Sequence, residues 1–256
     1  MQFSANLGFL WLDRPLPDRI HAAKAAGFSA VECHFPYETP TEHVVAALHD
    51  TGLKMLSLNT RPGDPAAGEF GLCALPGREV EARDAIIEAV SYANAVDASA
   101  VHVMAGSNGD MAVFRRALDF ACEAAAASDL QVLIEPLNPF DVPGYLYSRT
   151  DQAAALIADM GHANLALMFD CYHVARTEGC VLRRFRAVKH LVGHVQFAAV
   201  PDRGAPDHGE VDYAILLPQL VAEGWTRPFG AEYRPDGPTD DGLDWLTRLG
   251  PEGGIY

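Results

Sequence analysis

Eight short runs of nearly continuous apolar residues punctuate this chain, and their rhythm restricts its fold more than any other feature. They are Gln2–Asn6, Ala30–Phe35, Lys54–Asn59, Ala100–Met104, Gln131–Glu135, Leu165–Asp170, Leu191–Phe197 and Pro228–Tyr233. Runs this short, without polar alternation, suit strands buried on both faces, as in a parallel sheet covered by helices. Between them lie alanine-rich stretches with helical spacing, expected as helices over Asp18–Ala26, Thr41–Thr51, Arg78–Val96, Met111–Ala127, Asp151–Met160, Cys180–Val188, Tyr213–Ala222 and Leu243–Leu249. Gly27, Gly52 and Gly224 follow three of these, where a left-handed cap would end a helix. Eight such pairs in 256 residues leave about 32 residues for each, the size of one βα repeat with short loops. That count selects a single-domain (β/α)8 TIM barrel over residues 1–256, rather than a doubly wound sheet. A dinucleotide-binding fold would want G-x-G-x-x-G after its first strand, and Leu7-Gly8-Phe9-Leu10-Trp11 does not fit.

Charge narrows the partners. Nineteen Lys+Arg against 34 Asp+Glu give a net charge of -15, which repels nucleic acid and anionic membrane surfaces. The densest basic group, Arg183, Arg184, Arg186 and Lys189, reads as the solvated face of a helix. The five cysteines include no C-x-x-C pair, so neither a disulfide framework nor a zinc ribbon is indicated. No apolar run approaches the roughly 18 residues of a membrane helix, and the first residues do not resemble a secretion signal. The expectation is a soluble cytoplasmic protein acting on a small molecule, with no nucleic-acid or membrane partner; a homo-oligomer is compatible with the sequence.

The chemistry lies where the last four runs end. In a barrel of this kind reactive groups project from the C-terminal ends of strands. The final polar residues are Glu135 in Val132-Leu133-Ile134-Glu135-Pro136, Asp170 in Leu167-Met168-Phe169-Asp170, Gln196 in His194-Val195-Gln196-Phe197, and Glu232 in Gly230-Ala231-Glu232-Tyr233. They are separated by 35, 26 and 36 residues, about one βα unit each, which brings all four to one rim. Three carboxylates converging there repel one another unless a cation sits between them. Four oxygen donors without a thiolate favour a hard divalent ion, Mg2+ or Mn2+, over zinc. Cys171, next to Asp170, is expected to point to the opposite face of the strand.

Two further residues belong near this rim. His173 lies just past the end of the Asp170 strand, where an imidazole could reach a substrate oxygen, and Arg203 sits in a long loop running to about Asp212. Glu32 and His102 lie at or near strand ends, where lining the pocket and a buried structural role are both open.

These residues, taken in order, carry a family resemblance. Leu75-Pro76-Gly77-Arg78-Glu79, His102-Val103-Met104-Ala105-Gly106, Glu135-Pro136-Leu137-Asn138, Asp170-Cys171-Tyr172-His173, Gly193-His194-Val195-Gln196 and Glu232-Tyr233-Arg234-Pro235 resemble the hydroxypyruvate isomerase family of xylose-isomerase-like barrels. The resemblance covers essentially the whole chain. It implies that Glu135, Asp170, Gln196 and Glu232 hold the metal, that Glu135 and Glu232 flank the substrate as acid and base, and that His173 and Arg203 bind substrate. The implied reaction is aldose–ketose isomerisation by proton transfer, with hydroxypyruvate and tartronate semialdehyde as the leading pair. Epimerisation at C3 of a free ketose, isomerisation of a related acid such as 2-oxo-tetronate, and a sugar-acid-binding barrel without turnover are the alternatives. One departure bears on the substrate: where the family usually reads Pro-Gly-Arg-His-Glu-Pro, this chain has Pro201-Asp202-Arg203-Gly204-Ala205-Pro206.

Overall fold

Each apolar run becomes a strand, and each strand leads into a helix laid against the outside of the sheet. The strands are β1 (Phe3–Asn6), β2 (Ala30–Glu32), β3 (Ser57–Asn59), β4 (Ala100–His102), β5 (Gln131–Ile134), β6 (Leu165–Asp170), β7 (Val192–Phe197) and β8 (Phe229–Ala231). The helices are α1 (Leu16–Ala26), α2 (Thr41–Thr51), α3 (Glu79–Ala95), α4 (Met111–Ala126), α5 (Thr150–Met160), α6 (Cys171–Thr177), α7 (Val181–Val188), α8 (Tyr213–Ala222) and α9 (Asp244–Leu249). This computed structural model describes residues 1–250, so residues 251–256 of the expected domain lie outside the described residues. Neighbouring strands are all parallel, in the order β2-β1-β8-β7-β6-β5-β4-β3. The ring is nearly closed between β2 and β3 by a single bridge, Val31 to Met55, and by the Cys33 and Asn59 N–H groups donating to the Ser57 and His34 carbonyls at 3.1 and 2.8 Å. The chain forms a (β/α)8 TIM barrel.

The strands are shorter than the apolar runs. β2, β4 and β8 stop at Glu32, His102 and Ala231, because beyond them the chain bends into the βα loops that build the mouth. Gly27 and Gly52 take the left-handed conformation at the ends of α1 and α2 (φ 96° and 68°). Helix α6 has no counterpart in the expected pattern. It begins directly after Asp170, whose Oδ1 accepts the Tyr172 N–H at 2.8 Å and so caps it. Cys171 is consequently the first residue of a helix and is buried there, instead of facing across a strand. The basic group on and after α7 pairs with acids: Arg184 lies 3.2 Å from Glu178, while Arg186 and Lys189 lie 2.7 and 2.9 Å from Glu223.

Alternation along the strands sorts the core into two parts. Outward residues such as Phe3, Phe169, Phe197 and Phe229 pack against the helices in the main apolar core. Inside the ring, Ala100, Leu133, Ala166 and Met168 form a separate small cluster. Other inward positions carry buried polar side chains, among them Ser4, Asn6, Glu32, His194 and Gln196. Among the described residues no helix is long and apolar enough to cross a membrane.

Candidate active site

The four strand ends singled out by the sequence meet at one rim. Gln196 is in register with Asp170 on one side and Gly230 on the other, while Glu135 and Glu232 follow β5 and β8 directly. All four side chains are buried: Glu135 and Glu232 are 5 % exposed, Gln196 2 % and Asp170 1 %.

Glu232 is the best satisfied of the carboxylates. Its Oε1 accepts from Asn6 Nδ2 at 3.1 Å and from His34 Nε2 at 2.8 Å, and its Oε2 accepts from Arg203 Nη2 at 2.7 Å. Burial alone would raise its pKa, but the Arg203 charge and the His34 contact outweigh burial and hold it well below the usual carboxylate range. Glu135 is the opposite case. Its Oε1 has no hydrogen-bond partner among the described residues, and burial with repulsion from Glu232 and Asp170 raises it well above that range. Asp170 is pushed up to about 7 by burial and by Glu232, even though one of its oxygens caps α6.

His173 is held from behind. The Asn138 backbone N–H can only donate, and it reaches His173 Nδ1 at 3.0 Å, so Nδ1 is an acceptor. Burial and the Arg203 charge keep the ring neutral by lowering its pKa. Its proton therefore sits on Nε2, which is unpartnered and lies 3.6 Å from Asp170 Oδ2 and 3.8 Å from Glu135 Oε1. His102 joins the same cluster: its Nδ1 lies 3.8 Å from Glu135 Oε2, neither ring nitrogen has a partner, and burial lowers its pKa to about 4. Glu32 does not face the cluster; it lies beneath it, accepting from Gln196 Nε2 at 2.8 Å.

Arg203 adopts a left-handed backbone conformation (φ 59°) in the loop after β7. Its carbonyl accepts the Arg234 N–H at 2.8 Å, tying the loop to the end of β8. The guanidinium sits between the Phe9 and Tyr172 rings, 5.2 Å from each centroid, with Nε unpartnered. Where the Gly204-Ala205 departure falls, Asp202 organises the loop by accepting from Gly204 N at 3.0 Å and meeting His208 at 2.8 Å. Beside the cluster, a cavity of about 670 Å3 is lined by Phe9, Leu12, Arg234 and Thr239. The exposed Arg234 stands 5.6 Å above Phe9 there.

A cluster of unpartnered buried polar atoms calls for a physical explanation, of which a bound ion is one. Here Glu135 Oε1, Asp170 Oδ2, Gln196 Oε1 and His173 Nε2 all lack a partner among the described residues, and atoms of Glu135, Asp170 and His173 lie within 4.8 Å of one another. Two carboxylate oxygens and an amide oxygen facing inward fit a hard divalent cation. The sequence reading did not include Asn6, His34 or Asn138 in the site. Asn138 was visible only as a member of the Glu135-Pro136-Leu137-Asn138 motif, and Asn6 and His34 come from the opposite end of the chain.

The chain matches the family described as "Xylose isomerase-like TIM barrel" over residues 20–249. It is 42 % identical to the 2-oxo-tetronate isomerase of Cupriavidus necator over 252 residues, covering 96 % of this chain and 97 % of that protein. To the hydroxypyruvate isomerase of Escherichia coli it is 34 % identical over 253 residues, covering 96 % and 98 %. The crystal structure of a Brucella melitensis protein described as an AP endonuclease, family 2, superposes with a TM-score of 0.91 at 35 % identity, covering 96 % and 98 %. Full-length kinship at this level identifies the chain as an isomerase that belongs to the xylose isomerase-like TIM barrel family.

Proposed function

We propose that this isomerase interconverts the ketone and aldehyde forms of a short hydroxy-keto acid in a divalent-metal-dependent reaction, with hydroxypyruvate and tartronate semialdehyde as the leading pair. The observation that carries the reading is the opposed environment of Glu135 and Glu232 around a set of unpartnered oxygens. Glu135, Asp170, Gln196 and Glu232 would hold Mg2+ or Mn2+, which would stabilise negative charge on the substrate oxygens as the carbon-bound proton leaves. Glu135 and Glu232 would flank the substrate as the acid and base pair, one taking the carbon-bound proton and the other giving one to the neighbouring carbon. Exchange with solvent resets the pair. His173 donates from Nε2 to a substrate oxygen, and Arg203 reaches the substrate carboxylate with the guanidinium edge that Glu232 leaves free. Burial of the cluster keeps water from competing for these contacts.

The test is proton exchange from D2O into hydroxypyruvate, with and without Mg2+ or Mn2+. Metal-dependent incorporation supports the reading; no incorporation with either ion at micromolar enzyme sinks it. A second reading, a four-carbon 2-oxo acid as substrate, is favoured by the 42 % identity to the Cupriavidus necator enzyme. Arg234 at the lip of the neighbouring cavity would give the longer acid a second cation. Comparing kcat/KM for three- and four-carbon acids decides between them.

A further inference from the structure

The barrel interior beneath the rim holds a fourth carboxylate, Glu32, which is 0 % exposed. A carboxylate costs several kcal/mol to bury, so its retention asks for a reason. It accepts from four side chains: Ser4 Oγ at 2.8 Å and His194 Nε2 at 2.6 Å on Oε2, and Asn6 Nδ2 at 3.1 Å and Gln196 Nε2 at 2.8 Å on Oε1. The His194 and Gln196 contacts outweigh the upward push of burial and keep Glu32 below the ordinary carboxylate range. Room for it is made by Gly230, where a Cβ would stand 2.7 Å from Glu32 Oε2 and 2.8 Å from His194 Nε2.

Two of its four contacts lead to the donor set. A carboxylate only accepts, so Gln196 must turn its NH2 toward Glu32, and its Oε1 is left unpartnered. Turned the other way, the amide would offer an N–H to the cluster and repel a cation. Asn6 spans Glu32 and Glu232, donating to each at 3.1 Å.

We infer that Glu32 is a positioning residue that presents the Gln196 carbonyl oxygen to the cation and steadies Glu232 through Asn6. The inference rests on the reading that Gln196 and its neighbours hold a divalent metal. Its measure is the Mn2+ dissociation constant, followed by the signal of free Mn2+ in electron paramagnetic resonance, beside the melting temperature of each variant. Glu32→Ala removes the acceptor and is expected to weaken Mn2+ binding about 10- to 100-fold, the usual effect of losing an outer-shell partner. Glu32→Gln is expected to stay close to wild type, because its carbonyl still receives Gln196 while Ser4 and His194 can accept from its new NH2. In a Gln196→Ala background, Glu32→Ala is expected to cost less affinity than it does in the wild type, the remainder being what reaches Glu232 through Asn6. If Glu32→Ala does not fold, Glu32→Asp, which withdraws the carboxylate by one methylene, is expected to weaken binding in the same direction.

Wild-type Mn2+ affinity in Glu32→Ala and Glu32→Asp would overturn the inference. So would an undiminished loss in the Gln196→Ala background, or a loss in Glu32→Gln as large as in Glu32→Ala, which would trace the effect to charge. A wild-type protein that takes up neither Mn2+ nor Mg2+ would bring down the metal reading as well, which separates the two failures.

Discussion

Glu135 and Glu232 are the same side chain at equal exposure, and their surroundings drive them in opposite directions. Three donors hold Glu232 ionised; Glu135 faces two like charges with one oxygen unpartnered. Either Glu→Gln substitution is expected to lower the isotope-exchange rate by about 10²–10⁴-fold. Their effects on stability should differ. Glu135→Gln replaces a buried carboxyl whose ionised form is disfavoured by burial and by Glu232 and Asp170, so in the metal-free protein it should not lower the melting temperature. Glu232→Gln leaves Arg203 buried beside one fewer negative charge and should melt earlier; equal shifts in a thermal scan would contradict the assignment. The convergence of these carboxylates was legible from strand spacing alone. Which one is partnered was not, because Asn6 and His34 are 226 and 198 residues from Glu232 along the chain.

At the scale of elements, Asp170 ends β6 and begins α6 with the same carboxylate: Oδ1 caps the helix while Oδ2 faces the cluster. The two duties can be separated. Asp170→Asn keeps an oxygen for the cap and should fold normally while losing Mn2+ affinity. Asp170→Ala should lose the affinity and also about 1 kcal/mol of stability for the missing cap, measurable by urea titration. The short helix was not legible in the sequence, because seven residues (Cys171–Thr177) are too few to show a helical period.

The cluster also gives the barrel rim a pH dependence. Asp170 and Glu135 are raised, so the folded protein keeps protons that the unfolded chain releases. Asp170's favourable contribution is complete below its ordinary value of 3.8 and is lost as pH rises through about 7, and Glu135 acts in the same direction. Glu232 is lowered and works the other way, with its contribution complete above the ordinary carboxylate range. Metal-free protein should therefore melt at a lower temperature at about pH 8 than at about pH 6. Saturating Mn2+ should remove that slope, since it replaces the protons; a slope unchanged by Mn2+ would argue that these carboxylates do not hold it.

For the whole molecule, the count of eight units was readable from periodicity because helices and strands bury their faces with different periods. How the ring is joined was not, since that depends on contacts between its ends. Helix α9 makes one join. Trp245 is fully buried with its ring 5.4 Å from Phe3, 6.0 Å from Phe28 and 5.7 Å from Phe197, and its Nε1 donates to the Tyr233 hydroxyl at 3.1 Å. It thus fastens the first strand to the last two, and Trp245→Ala should cost about 3–5 kcal/mol in chemical denaturation.

The β2–β3 junction, with its single bridge between Val31 and Met55, is a thinner join. Amide protons of Val31 and Leu56 should exchange with solvent sooner than those of β6 and β7, which are six residues long and paired on both sides. A closed ring hides all of its strand edges, so wherever it first parts it creates two edges with free N–H and C=O groups, each a template for another chain. Heat-induced clumping of this enzyme should accordingly begin at β2 and β3, whose outward residues Val31 and Leu58 become bare apolar groups once the ring opens.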